Sequence, residues 1–301
     1  MANFMLQLYK IDFDRFGRLP TVKTRSPAPS RPLTWKAHEI LRIEGANTFD
    51  NRADGFSTTR EYFKYVNSQD WQQLRVQPNS IAGPLSAKSR YTALKVLETL
   101  IPELTNTTYD RGPFKLICDD FGLGNVIAQS KHDLTITGVV DMEGVYAGPA
   151  QLFGSAPWWL LMDRPVNEEW DFEQGDAPKA TDRYFKYLEN FVRVLSEEEA
   201  KMTANGRKEL TELVKWSTDS GAMWLHMLLS SGCFLTHPPF LDTEKVETFV
   251  ASKLNDLTAY DKITDKVEDF KALMDNKEIT TVELINLASS LLKSGQPMCP
   301  D

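Results

Sequence analysis

Apolar residues recur at three- and four-residue steps along most of the chain, a pattern that predicts a largely helical protein. Such periods cover residues 33–42, 86–100, 184–195, 207–229, 246–257 and 284–292. Another helix is predicted to begin at Ser57–Glu61, where serine and threonine precede a glutamate as in a capping box. Its apolar side carries Tyr62, Phe63, Tyr65 and Val66.

The start of the chain has two further features. Phe4, Leu8 and Ile11 lie at near-helical spacing with no capping residue before them, so Met1 falls inside an apparent helix. The run from Pro20 to Pro32 contains four prolines, which excludes a helix or a central strand there. We therefore expect residues 20–32 to form a surface loop.

The middle of the chain breaks the helical period with short apolar runs at 114–118, 125–129 and 134–141. The last two flank the polar residues 130–133, which is typical of an exposed hairpin turn. Antiparallel pairing from Gln129 and Leu134 sets Asn125 opposite about Gly138 and leaves Asp141 at the same end of the ribbon. The predicted fold class is α+β, mostly helical, as one domain over residues 1–301 with a small β-hairpin.

Composition limits the classes of protein that remain. With 301 residues, 42% of them hydrophobic, the chain can bury a full core. It has no apolar stretch long enough to span a membrane and no signal-peptide pattern, and its three cysteines include no CxxC pair. The net charge of −8 argues against a nucleic-acid partner. We expect a cytoplasmic protein without membrane or nucleic-acid partners.

The hairpin region holds the residues best suited to chemistry. Asp120 and Asn125 bracket a loop in which Gly122 and Gly124 are expected to let the backbone turn tightly. With Asp141, they bring two carboxylates and a carboxamide to one end of the ribbon. Oxygen donors of this kind suit Mg²⁺, and a spare carboxylate could orient or deprotonate a substrate hydroxyl. The spacing alone is a weak signal, because Asp and Asn beside glycine are usually turn formers.

Three stretches give this cluster a context: CDDFGLGNV (118–126), TGVVDMEGVYAGPAQ (137–151) and APWWLLMDRP (156–165). Together they resemble the aminoglycoside phosphotransferase (aminoglycoside/choline kinase-like) family, particularly its branch common in filamentous fungi. The resemblance implies a protein-kinase-like carboxy-terminal lobe with Asp120 as the catalytic aspartate. It implies Asn125 and Asp141 as metal ligands. The chain departs from the family at Cys118, where the motif begins with a histidine that has a supporting role.

The resemblance covers only the carboxy-terminal lobe. No range remains for the family's nucleotide-binding amino-terminal lobe, and Gly122–Gly124 cannot replace it, because this short run opens a strand rather than a helix. We therefore expect ATP to bind weakly or not at all. Glu143, Trp158 and Trp159 are weaker candidates for lining a substrate pocket, and the two tryptophans are more readily explained as core.

Three functions stay open. The first is a repurposed enzyme that acts on a small organic metabolite without ATP, by cyclisation, dehydration, isomerisation or hydrolysis in specialised metabolism. The second is a small-molecule kinase whose amino-terminal lobe is supplied elsewhere or omitted by the start site, which a Met1 inside a helix would favour. The third is a non-catalytic pseudokinase that binds or scaffolds. For a free domain without the missing lobe, we expect residues 20–32 or a second copy of the chain in a homodimer to cover the face that the lobe would leave.

Overall fold

A computed structural model describes residues 1–14, 16–19, 55–77, 80–118, 121–142, 145–161, 179–202, 207–231, 247–259, 261–262 and 265. Over these residues the fold is α+β and mostly helical, with two small antiparallel sheets, which confirms the predicted class. The predicted loop at 20–32 and the predicted helices at 33–42 and 284–292 lie outside the described residues. No described helix is both long and apolar enough to cross a bilayer.

Strands β2 to β5 follow one another between two groups of helices, whereas β1 lies between the first two helices. They are α1 (Ala2–Tyr9), β1 (Gly17–Arg18), α2 (Thr59–Val76), α3 (Pro84–Glu103), β2 (Lys115–Ile117), β3 (Val126–Ala128), β4 (Ile136–Val139), β5 (Tyr146–Gly148), α4 (Ala150–Phe153), α5 (Lys179–Met202), α6 (Glu209–Asp219), α7 (Ala222–Ser231) and α8 (247–259). Single turns of 3-10 helix occur at Leu123–Asn125 and Trp158–Leu161.

Helix α2 begins where its sequence predicts. Thr58 is the N-cap, and its side chain accepts a hydrogen bond from the Glu61 amide at 3.1 Å. The Glu61 carboxylate in turn accepts from the amide and hydroxyl of Ser57. The side chains and amides at the start of α2 thus bond reciprocally, as in a capping box. The apolar side predicted for this helix is buried as a whole.

Two helical predictions need correction. In α1 the buried face is formed by Ala2, Met5, Leu6 and Tyr9, whereas Ile11 lies beyond the helix and is exposed. The single helix predicted over 207–229 is two helices, α6 and α7. The chain breaks between them at Gly221, whose φ of +79° lies in the left-handed region that glycine adopts without steric cost.

Strands β1, β5 and β2 form an antiparallel sheet in that order, with Leu116 opposite Ala147. Strands β1 and β5 have only two and three residues and were not predicted. Strands β3 and β4 form a separate two-stranded sheet, which we call the ribbon.

The core consists of two clusters of buried apolar side chains. One joins α2, α3, α7 and α8 to the three-stranded sheet, and it is rich in aromatic rings such as those of Phe16, Tyr62 and Phe114. The other joins α1, α5 and α6 and contains Trp159. Phe153 of α4 packs against both clusters, so α4 lies where they meet.

Three of the charged side chains buried in this body contact the ends of helices. Lys115 of β2 donates to the carbonyl of Tyr9, the last residue of α1, and Lys253 of α8 donates to the carbonyl of Gln77 at the end of α2. Glu199 of α5 accepts from the first amides of α6. Each charge has the sign that the helix dipole favours at that end.

Candidate functional site

The ribbon brings Asn125 and Asp141 to the same end. Val126 pairs with Val139 and Ile127 with Gly138, and the Val140 amide then donates to the Asn125 carbonyl at 2.9 Å. Asp141 therefore comes one residue after the partner of Asn125. The predicted meeting of this carboxylate and this carboxamide at one end of the hairpin agrees with the register.

The expected register itself was wrong by two residues, because Asn125 lies opposite Val140 rather than Gly138. One residue of the shift arises at the turn, where the Gln129 amide donates to the Thr135 carbonyl at 2.9 Å instead of pairing at position 134. The other arises from a bulge between Ile127 and Ala128, which places one extra residue in β4. Both changes bring Asn125 closer along the ribbon to Asp141.

The exposed turn predicted at 130–133 is confirmed. The Ser130 amide donates to the Asp133 carbonyl at 3.0 Å, and the Ser130 hydroxyl accepts from the amides of His132 and Asp133. The Asp133 carboxylate accepts from the amide and hydroxyl of Thr135, which lowers the pKa of that carboxyl. These contacts hold Thr135 in place to pair with Gln129, the residue directly after β3.

Asp141 has an uncommon backbone conformation. Its φ is +58°, and it is the one non-glycine residue with positive φ among the described part of the chain. Aspartate tolerates this left-handed region better than most residues, yet the conformation still costs free energy relative to an extended strand. It ends the regular strand after Val140 and leaves Asp141 exposed to solvent.

Asn125 is half-buried and ends the 3-10 turn, in which its amide donates to the Gly122 carbonyl at 3.2 Å. The glycines of this turn do not play the part expected of them. Gly122 is extended, with φ of −153°, and Gly124 does not have a positive φ. A Cβ added at Gly124 would meet nothing within 4 Å, so this stretch of backbone faces open space.

Three of the predicted site residues cannot be placed or can be placed only in part. Asp120 and Glu143 lie outside the described residues, and so does the side chain of Trp158. The residues on either side of 119–120 are fixed, since the Phe121 amide donates to the Cys118 carbonyl at 3.2 Å. The role of Asp120 as a catalytic aspartate stays a prediction.

Phe121 anchors the loop that leads to Asn125. Its ring stacks on Phe4 of α1 with centroids 6.0 Å apart and planes 14° apart, and its other neighbour is Trp159 at 6.4 Å, edge to face. Trp159 is 6% exposed and packs edge-on against Phe191 of α5. This packing favours the interpretation of Trp159 as a core residue over a pocket-lining one.

The oxygen donors fit a hard cation in part. A carboxamide from Asn125 and a carboxylate from Asp141 are ligands that Mg²⁺ accepts, and Mg²⁺ commonly keeps several waters when few protein groups bind it. Within the described ranges, no group of three or more His, Cys, Asp or Glu side chains is arranged to hold a metal ion. These two residues would therefore hold the ion together with water.

The surface around these polar groups is apolar. Leu123, Val140 and Met142 are 38%, 45% and 40% exposed, and each lies within two residues of Asn125 or Asp141. Ile127 on β3 is exposed as well. Large aliphatic side chains in solvent beside polar site residues provide contact area for an organic molecule or for another protein surface.

Sequence reasoning missed Phe4 and Phe121. Phe121 was part of the quoted motif but was given no role, and Phe4 was read only as one side of a helix. Helical spacing shows that Phe4 has an apolar environment. It contains no information on which residue, 117 positions further along, provides that environment.

Comparisons with known proteins add no further identification. No protein-family model matches this chain. Neither a curated protein nor a solved structure matches it. The likeness to aminoglycoside phosphotransferases therefore depends on the residues quoted for it.

Proposed function

We propose that this chain has a protein-kinase-like carboxy-terminal lobe that has been repurposed, and that it acts on a small organic metabolite without ATP. The observation that carries the proposal is the meeting of Asn125 and Asp141 at one end of the ribbon, where the Val140 amide donates to the Asn125 carbonyl. The left-handed backbone of Asp141 adds support, because costly conformations outside glycine cluster at functional sites.

Each group has a distinct part in this proposal. Asp120 would serve as the acid or base at a hydroxyl or an acidic C–H group of the substrate. Asn125 and Asp141 would hold Mg²⁺, which when bound supplies positive charge near developing negative charge on the substrate. The exposed side chains of Leu123 and Met142 would contact its apolar part. Cyclisation, dehydration, isomerisation and hydrolysis are all reactions that need no nucleotide.

A second candidate function is favoured by one observation. The exposed aliphatic side chains of the ribbon form the kind of surface that a separately supplied nucleotide-binding lobe would cover. In that case the chain would be one half of a small-molecule kinase. Tight, Mg²⁺-dependent binding of ATP by this chain in calorimetry would favour a kinase over the repurposed enzyme. We expect the chain alone to show no affinity tighter than about 1 mM, because two metal ligands cannot replace contacts to adenine and phosphates.

The metal part of the proposal is tested with Mn²⁺ as the probe, followed by electron paramagnetic resonance. Asp141→Asn should weaken Mn²⁺ binding at least tenfold, because it removes the carboxylate that the ribbon places beside Asn125. Asp133→Asn is a matched control, since it makes the same change at the opposite end of the same ribbon. Equal Mn²⁺ affinity in all three proteins would contradict the assignment of Asp141.

The catalytic part is tested by a thermal-shift screen of small hydroxylated and amine-bearing metabolites, followed by a turnover assay on those that bind. Asp120→Asn should abolish turnover and keep ligand affinity, because it removes a proton-transfer group at nearly constant volume. Asp119→Asn is the neighbouring control. Full turnover in Asp120→Asn would move the chemistry to another group, and tight Mg²⁺-dependent ATP binding would restore the kinase function.

A further inference from the structure

Helix α1 contacts the segment that carries the candidate site at two points. Its first turn contributes Phe4, which stacks on Phe121, and its last residue is Tyr9, whose carbonyl accepts from Lys115. We infer that α1 positions the site loop, residues 121–125, and that Phe4 and Phe121 are positioning residues. That this loop belongs to a functional site rests on the proposed function, whereas its contacts with α1 are independent of that proposal.

The first point of contact is aromatic. Phe121 lies four residues before Asn125 and directly after Asp120 in sequence. Its ring is flanked by Phe4 and Trp159, and Trp159 is itself held by Phe191, so a row of four rings links α1, the loop and α5. Aromatic pairs at these distances attract each other through their ring quadrupoles, in addition to the effect of burial.

The second point of contact is ionic. The side chain of Lys115 is 5% exposed, and its ammonium donates to the Tyr9 carbonyl and to the carboxylate of Asp12. It also lies 3.9 Å from the centroid of the Tyr9 ring. A buried ammonium is stable only with such partners, so Lys115 holds the end of α1 firmly against β2.

The two contacts define the direction of α1 relative to the chain that runs from β2 into the loop. Phe4 and Tyr9 are five residues apart on α1, which is about 7.5 Å of helix. Lys115 and Phe121 are six residues apart on the chain that runs from β2 into the loop. Because the early residue of each segment meets the late residue of the other, α1 runs antiparallel to the direction from Lys115 to Phe121.

This arrangement explains how a loop with little burial keeps a fixed shape. Gly122 is buried, whereas residues 123–125 are exposed or half-buried, and the described hydrogen bonds within the turn are local. Phe121 is therefore the last residue before Asn125 that is tied to the body by several rings. Loosening it should free residues 121–125 while β3 and β4 remain paired to each other.

The test is amide hydrogen exchange, measured by NMR on the full chain in Phe4→Leu, Phe121→Leu and Tyr91→Leu. The reporting amides are those of Phe121 and Asn125, which donate within the loop. We expect both Phe4→Leu and Phe121→Leu to speed their exchange at least tenfold relative to the wild type, with amides of α3 unchanged. Tyr91→Leu is the control, because Tyr91 belongs to an aromatic group with Trp71 and Phe249 in the other core cluster.

Two results would overturn the inference: unchanged exchange of both amides in Phe4→Leu, or the same acceleration in Tyr91→Leu. Phe121→Tyr, which keeps the ring, should restore wild-type exchange, and failure to do so would also count against it. If Phe121→Leu does not fold, Phe4→Leu decides the question. No metal or ligand enters this measurement. A wild type that binds no Mn²⁺ would therefore sink the proposed function and leave the exchange result standing.

Discussion

The helical body buries charged side chains, whereas the ribbon exposes apolar side chains to solvent. In the body, Lys115, Glu199 and Lys253 are buried, yet each of these charges meets backbone groups at a helix end. In the ribbon, Ile127 and Val140 are aliphatic, yet both stand 45% or more exposed. The body thus pairs these three buried charges with backbone groups, whereas the ribbon leaves apolar area uncovered within the described structure.

The difference shows where the free energy of folding is gained. No residue of β3 or β4 is buried, so the ribbon gains little from the hydrophobic effect, and a two-stranded ribbon alone is marginally stable in water. It persists because its turn is closed by local hydrogen bonds and because Phe121 ties its entrance to the body. A segment of this kind can change its surface without unfolding the protein, which suits it to function.

The sharpest way to break this comparison is to make one substitution in both regions. Ile101 of α3 is 0% exposed and Ile127 of β3 is 48% exposed. Ile101→Ala should lower the free energy of unfolding by about 3–4 kcal/mol, because it removes buried methyl groups and leaves a cavity. Ile127→Ala should cost less than about 1 kcal/mol, since its side chain is half in water. Urea denaturation measures both, and similar losses would show that the ribbon is part of the core.

The buried charges of the body provide a second test. Helix α6 has Lys208 as its N-cap, with no side-chain cap bond, and Glu199 of α5 supplies the missing acceptor. Its carboxylate accepts from the amides of Leu210 and Thr211 at 2.9 Å and from the Thr211 hydroxyl at 2.6 Å. Glu199→Ala would leave these three donors unpartnered in the core.

We expect Glu199→Ala to lower the free energy of unfolding by about 3 kcal/mol, at roughly 1 kcal/mol for each stranded donor. Glu197→Ala is the control on the same helix, because Glu197 is exposed and pairs with Arg193, and such pairs contribute less than about 1 kcal/mol. Both variants are compared by urea denaturation at neutral pH. Equal losses would mean that the α6 cap contributes no more than a surface ion pair.

A third test uses the pH dependence of His226, which is buried in α7 against the ring of Phe63. Gln151 is oriented by the Asn106 amide, which donates to its Oε1, so its Nε2 donates to the Leu104 carbonyl and to His226 Nε2 at 2.8 Å. Protonation of His226 at Nε2 would make this nitrogen a donor that faces the donating Nε2 of Gln151, with no acceptor between them. Burial, which penalises the charged ring, lowers the pKa of His226 to about 3.

The sign of the effect follows from the two pKa values. The unfolded chain takes up a proton at His226 near pH 6.5, and the folded protein does so only near pH 3. The contribution of neutral His226 to the free energy of unfolding is therefore fully present above pH 6.5. It falls as the pH drops from there towards 3, by up to about 1.4 kcal/mol per pH unit. His226→Gln cannot titrate and keeps an acceptor for Gln151. It should reduce the slope of the free energy of unfolding against pH by the contribution of about one proton.

Urea denaturation between pH 4 and 7 measures the slope. Leu195→Ala is the control, because Leu195 is buried in the other core cluster, and its loss should lower stability at every pH without changing the slope. An unchanged slope in His226→Gln would mean that other groups account for the acid sensitivity.

Sequence patterns predicted the body better than the ribbon, for a physical reason. The aromatic side of α2 follows from a capping signal and a helical period, both of which are local. The break at Gly221 was missed because apolar residues continue at helical steps through 207–229, and a period does not report one residue's φ. Strands β1 and β5 are too short to show an alternation, so only the pairing partner reveals them.

For the candidate site, sequence predicted which end of the ribbon Asn125 and Asp141 share but not their register. Alternation fixes the face of a strand, whereas the bulge after Ile127 and the side-chain contacts of Asp133 decide which residues pair. The support from Phe4 could not be predicted, because contacts between distant parts of the chain leave no periodic trace. Asp120 still depends on the motif alone.

The smallest expected effect concerns Gly124, which lies beside Asn125 in the ribbon's entrance. A methyl group there would meet nothing within 4 Å, and its φ is not positive, so alanine fits without strain. Gly124→Ala should leave stability unchanged or raise it by up to about 1 kcal/mol, because alanine reduces the entropy of the unfolded chain.

Gly148 of β5 is the matched control, since its added methyl would lie 2.5 Å from the Tyr146 ring and 2.8 Å from Ile117. Gly148→Ala should therefore destabilise the body, and thermal melts of the two variants give the contrast directly. Gly124→Ala also sharpens the role of the site. If a ligand approaches the open backbone there, the methyl group should weaken its binding at full stability. A Gly124→Ala variant that melts early, as Gly148→Ala should, would mean that the ribbon's entrance is packed like the body.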